Sequence, residues 1–98
     1  FLKKMNESRK LIAAICAAPA VVLAPLGILD GKKATCYPGC EADFTPGTRY
    51  SAESVVTDGN VITSQGPGTA LAFSLAIVEA LAGTAMVKTL REKMLIGV

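Results

Sequence analysis

One uncharged run limits the folds open to this chain more than any other feature. It lies within "RKLIAAICAAPAVVLAPLGILDGKK", from Arg9 to Lys33. No residue between Leu11 and Leu29 carries a charge, and basic residues flank the run on both sides. Its length is about that of a membrane helix, but its grammar is not. Pro19, Pro25 and Gly27 interrupt it, and its alanines lower the mean hydropathy. Lys3, Lys4, Arg9 and Lys10 resemble the basic head of a signal peptide. Glu7 breaks that head, however, and no A-x-A cleavage pattern follows. Ile15 is too large to precede a lipidated cysteine. The run is therefore not expected to span or enter a membrane, and the expected compartment is the cytoplasm.

A different parsing accommodates every residue. "KLIAAIC" reads as a short strand buried on both faces of a parallel sheet. "AAPAVVLAPLG" reads as a helix, with Pro19 in the first turn and Gly27 just past the end. Cys16 then falls at the strand-to-helix junction.

The remaining chain follows an α/β order. Residues 1–10 read as the end of a surface helix. "LDGKK" is a turn, and "KATCY" is a strand stopped by Pro38-Gly39. "CEADF" fits one or two helical turns, and "TPGTRY" a loop. "SAESVVTDGNVITSQ" is a hairpin around Asp58-Gly59. "TALAFSLAIVEALAG" is a helix ended by Gly83 and apolar all round, so it needs cover on most sides. Thr84 to Leu95 forms an amphipathic helix with a Met86, Leu90 and Met94 stripe. The pattern predicts an α/β sheet with helices on both faces, and only half of one. The Phe1 start likewise points to a processed or incomplete polypeptide.

Composition removes several functions. There is no His, hence no imidazole base or metal ligand. A net charge of +2 is too small to argue for nucleic acid. The cysteines are Cys16, Cys36 and Cys40, an odd number without a disulfide framework. Cys36 and Cys40 alone cannot complete a four-ligand zinc site. Neither a metal nor another cofactor is expected.

A thiol on a tight strand-to-helix turn is lifted clear of the sheet. Free N–H groups and the positive end of the following helix stabilise its thiolate, as at the nucleophile elbow of hydrolases. The Ala17 N–H could receive a substrate oxyanion. A buried, inert cysteine is the other reading, and the spacing leaves both open. "SQGPGTA" is an anion site in principle, but the local residues favour a tight turn and helix entry. Cys36 and Tyr37 end a strand, where parallel sheets place functional groups, although either could equally be packing.

"IAAICAAP", "KKATCYPG" and "DGNVITSQGPGTALAFSLAIVEAL" stand in an order and spacing that resemble the ThiJ/PfpI superfamily, in its DJ-one branch. The resemblance runs from about Leu11 to the end. It implies a flavodoxin-like three-layer α/β sandwich, of which residues 1–98 form the C-terminal half. It implies Cys16 as nucleophile or redox thiol, Ala17 as a backbone oxyanion donor and Tyr37 as a substrate hydrogen-bond partner. Cys36, Gly66, Pro67 and Gly68 would line the pocket. The implied activities are glyoxalase or deglycase chemistry on reactive carbonyls, or alternatively redox sensing and stress chaperoning. An older family name links relatives to thiazole monophosphate biosynthesis.

The departures from the family pattern also carry information. The family's acidic partner of the cysteine belongs to the N-terminal half. Protease-like members carry His directly after the cysteine, where Ala17 stands, so peptidase activity is disfavoured. Gln65 stands where Arg is common, and Tyr37 where the human-type branch has His. The partners implied are the N-terminal half, as a second chain or a segment outside this one, and a second copy of the complete domain. Neither nucleic acid nor membrane is expected. A chain reduced to this half would be a non-catalytic fragment, not expected to fold stably alone.

Overall fold

The structure, a computed structural model, describes residues 1–93. Helix α1 (Leu2–Glu7) leads into strand β1 (Ile12–Ile15). A π-helical turn (Pro19–Leu23) follows, then β2 (Lys33–Ala34), a 3-10 turn (Cys40–Asp43) and β3 (Arg49–Tyr50). The hairpin β4 (Val55–Asp58) and β5 (Val61–Ser64) comes next. A 3-10 turn (Pro67–Thr69) opens helix α2 (Ala70–Ala82), and α3 (Thr84–Lys93) closes the described chain.

The main sheet has the order β1-β5-β4. β1 and β5 are parallel, with Ile12 beside Val61, while β4 and β5 are antiparallel. β5 is thus the central strand, and all four of its residues are buried. The hairpin turn is Gly59-Asn60, one residue later than the dipeptide read from sequence, since Asp58 already pairs with Val61. Gly59 has φ 59°, suited to the first central position of a two-residue turn. The Asn60 side chain donates to Asn6 Oδ1 (3.0 Å) and to the Lys10 carbonyl (2.9 Å), tying the hairpin to α1.

One sheet face carries the main core. Ile12, Ala14 and Val61 pack there with Leu23, Ala24, Ile28, Leu29 and Ala34. β2 pairs with β3 in a separate two-stranded sheet. It hangs on hairpin side chains rather than on a shared ladder. Lys33 N–H donates to Asp58 Oδ2 (2.8 Å), and Thr35 N–H to the buried Thr63 Oγ1 (3.0 Å). α2 covers the other face, so elements lie on both sides of the sheet, as the α/β reading requires.

Three local readings change. The expected helix after Cys16 is one π turn continued by irregular turns. Ala24 N–H reaches Pro19 O (3.0 Å) and Ile28 N–H reaches Leu23 O (3.2 Å), while Pro25 has no N–H to offer. "KATCY" is a strand over two residues only, and Arg49–Tyr50, read as loop, pairs with them. In α3, Val87 is buried and Met86 is exposed. Met94 and Leu95 lie outside the described residues.

α2 buries only Leu75, while Leu71 and Leu81 are exposed. A helix this apolar leaves surface to cover. β1 is an edge strand. A cavity of about 340 Å³ borders it, lined by Leu2, Ile12, Ile15, Val22, Leu23 and Phe73 among others.

Candidate functional site

β1 ends at Ile15, and Cys16 makes the turn with φ 66°. In that left-handed region Cβ crowds the carbonyl oxygen, at about 1–2 kcal/mol for a residue other than glycine. Two hydrogen bonds hold it there. The Cys16 N–H donates to the Ser64 carbonyl (3.1 Å), carrying the β1–β5 ladder one residue past the strand. The Cys16 carbonyl accepts from the Tyr37 N–H (2.7 Å). Ala17 O then receives the N–H groups of Ala20 (3.1 Å) and Val21 (2.9 Å), so coiling starts immediately.

The Ala17 N–H has no acceptor among the described residues. Cys16 is half-buried, with its thiol free. A single π turn supports only a small axial dipole.

Tyr37 is about half exposed, at 49%. Its ring lies against Gly66, where a Cβ would stand 3.4 Å from Tyr37 Cδ1. The fold thus joins Cys16, Ala17, Tyr37 and Gly66 in one neighbourhood. Pro67 and Gly68 sit exposed on the outside of the turn, and a Cβ on Gly68 would meet nothing within 4 Å. The Gly66 N–H is filled from within the turn by Thr69 Oγ1 (3.1 Å).

Cys36 adjoins Tyr37 in sequence but is fully buried. Burial, and then the negative charges of Glu41, Cys40 and Asp43, push its thiol up to about 11. At neutral pH it remains a protonated packing group. Among the described residues, no three His, Cys, Asp or Glu side chains gather closely enough to hold a metal ion. Nor is any described helix long and apolar enough to cross a membrane.

Two residues around the elbow escaped the sequence reading. Ser64 is fully buried, and its hydroxyl contacts Ser54 O (2.8 Å) and Thr69 Oγ1 (2.6 Å). Thr69 stands at the N-cap of α2, yet its hydroxyl points back into the turn and not onto the helix. The available signal was a hydroxyl residue at each end of "SQGPGT", a spacing suited to closing a turn with side chains.

A cysteine held at positive φ where a parallel strand ends, followed by an unpaired N–H, is the nucleophile-elbow arrangement of an α/β domain. The model described as "DJ-1/PfpI family" matches residues 1–80. The chain belongs to the DJ-1/PfpI family, and its sheet and helices form part of that flavodoxin-like fold. It is 51% identical over 82 residues to Protein DJ-1 homolog B of Arabidopsis thaliana, covering 84% of this chain and 18% of that protein. It is 44% identical over 97 residues to Protein dj-1beta of Drosophila melanogaster, covering 98% of this chain and 51% of that protein. The solved structure of oxidized Toxoplasma gondii DJ-1 superposes with a TM-score of 0.90 at 37% identity, covering 99% of this chain and 52% of that one. The chain therefore spans about half the length of those relatives, and less of the plant protein.

Proposed function

We propose that this chain supplies the cysteine-elbow half of a stress-protective domain acting on reactive carbonyls. The observation that carries the reading is Cys16 held at φ 66° beside the open Ala17 N–H. A side chain locked in a costly backbone conformation is characteristic of functional sites. The Cys16 thiolate adds to the aldehyde carbon of a 2-oxoaldehyde, forming a C–S bond and a hemithioacetal. The Ala17 N–H takes the oxyanion, and the Tyr37 hydroxyl hydrogen-bonds the adjacent oxygen. A proton then moves from the former aldehyde carbon to the neighbouring carbonyl carbon through an enediolate, giving a thioester. Water cleaves the thioester, releasing a 2-hydroxy acid and the thiol. No oxidant is consumed. The carboxylate that shuttles the proton belongs to the other half of the family domain.

That half, as a second chain or a further segment, is proposed to lie against the apolar edge of β1, and the completed domain to pair with a second copy. The free edge and the cavity beside Ile12, Ile15 and Phe73 support this placement. In the natural protein carrying this sequence, Cys16→Ser should abolish consumption of methylglyoxal. Full retention of that activity would overturn the proposal.

A second reading is redox sensing, favoured by the half-buried position of Cys16 and by the oxidized state of the Toxoplasma gondii structure. Here peroxide supplies one oxygen to the thiolate, giving a sulfenate and water. Mass spectrometry after mild peroxide should find the added oxygen on Cys16. Addition at Cys36 or Cys40 instead would count against it.

A further inference from the structure

We infer that Ser64 and Thr69 are positioning residues for the Cys16 thiol, acting through a partly buried hydroxyl chain that anchors both clamps on the elbow. The inference rests on Cys16 being the reactive group proposed above. The Thr69 hydroxyl has two acceptors in reach, Ser64 Oγ (2.6 Å) and the Gly66 carbonyl (2.9 Å), and with its proton on Ser64 three links run in turn. Gly66 N–H donates to Thr69 Oγ1 (3.1 Å), Thr69 Oγ1–H donates to Ser64 Oγ (2.6 Å), and Ser64 Oγ–H donates to Ser54 O (2.8 Å). Each hydroxyl donates once and accepts once. Hydroxyls linked in such a chain polarise one another.

This chain reaches the cysteine by two routes. The first is direct. Ser64 is fully buried, and its own carbonyl accepts the Cys16 N–H (3.1 Å). The second passes through the turn. Thr69 fixes Gly66, whose α-carbon faces the Tyr37 ring, and the Tyr37 N–H holds the Cys16 carbonyl (2.7 Å). A residue at φ 66° needs surroundings that over-determine its conformation. The two clamps come from segments far apart in sequence, the end of β5 and the loop after β2. The Ser64–Thr69 pair is the feature they share.

"SQGPGT" is then neither an anion cradle nor a simple helix entry. It is the brace of the elbow. Without the brace the Cys16 backbone relaxes toward negative φ and the sulfur leaves its fixed place on the turn. The thiol is then no longer presented in one fixed position, and its reaction slows.

The test uses the natural protein carrying this sequence. Alkylation of each cysteine by iodoacetamide is followed by mass spectrometry across a pH series. Thr69→Val keeps the shape and removes the hydroxyl, whereas Thr69→Ser keeps the hydroxyl. Thr69→Val should slow Cys16 alkylation at neutral pH about tenfold, the scale of one lost hydrogen bond. Thr69→Ser should restore the wild-type profile. Ser64→Ala should reproduce the Thr69→Val effect, with the double variant clearly less than additive. Cys40, half-buried and off this chain, should be unchanged and serves as the folding control.

An unchanged Cys16 profile in Thr69→Val overturns the inference. So does a Thr69→Ser profile matching Thr69→Val, or Cys16, Cys36 and Cys40 all gaining reactivity together, which reports general loosening. The proposed reaction fails separately: methylglyoxal consumption that survives Cys16→Ser leaves these alkylation profiles as they are.

Discussion

Replacing Cys16 by glycine should give a more stable protein than replacing it by alanine. Ordinarily alanine is the better residue within regular structure by about 0.5–1 kcal/mol, because glycine loses more freedom on folding. The elbow inverts the order. Cys16 stands at φ 66°, where any Cβ costs about 1–2 kcal/mol. Both variants lose the sulfur, so its packing cancels in the comparison, and both keep the backbone clamps to Ser64 and Tyr37. Only glycine removes the crowding. Subtracting its unfolded-state cost leaves glycine ahead by about 0.5–1 kcal/mol. For a domain of roughly twice this length, that is about 1–4 °C in Tm. Urea denaturation and calorimetry of the two variants in the natural protein read the difference. Alanine equal to or above glycine would show that the elbow is not strained.

Thr35 offers a second test on stability, because its buried hydroxyl has no hydrogen-bond partner among the described residues. Thr35→Val should therefore be neutral or stabilising by up to about 1 kcal/mol, and a loss larger than that in denaturation would show the hydroxyl to be bonded. Cys36, raised from 9.0 to about 11, holds its proton in the folded state after an unfolded chain has lost it. Its contribution is thus fully present below pH 9.0 and is lost as pH rises toward about 11. Stability measured across that window should fall less steeply in Cys36→Ala, and identical slopes would refute the assignment. The 98-residue chain by itself should show no cooperative thermal transition, since the β1 edge and much of α2 lack cover. A sharp calorimetric peak from an isolated monomer would contradict that expectation.

The candidate site was only partly legible in the chain. Cys16 stood out because an uncharged strand run stops at it and Pro19 follows, which fixes a turn at that position. Tyr37 and Gly66 were visible as residues next to strand ends. Their contact was not, because it depends on how two distant loops meet over the elbow. Pro67 and Gly68 belong to the same motif as Gly66 yet face outward, a distinction set by the direction of the turn. Cys36 and Tyr37 are neighbours with opposite fates, one sealed in and one half exposed. Alternation along the chain allows that difference but does not say which residue goes inside.

By itself, the sequence determined the local events. These are the strand ending in a cysteine, a hairpin turn within one residue of Asp58-Gly59, the stop of α2 at Gly83 and the absence of histidine. Each follows from short-range sterics or from residue identity, and so can be read within a few residues. The tertiary structure alone decided that "VITS" is the central strand and that its hydroxyls face inward. It also decided that Arg49–Tyr50 pairs with Lys33–Ala34, and that the elbow is clamped from two sides. Hydrogen bonds between segments tens of residues apart carry no local signature. A buried serine such as Ser64 looks like a surface residue until its partners are in place.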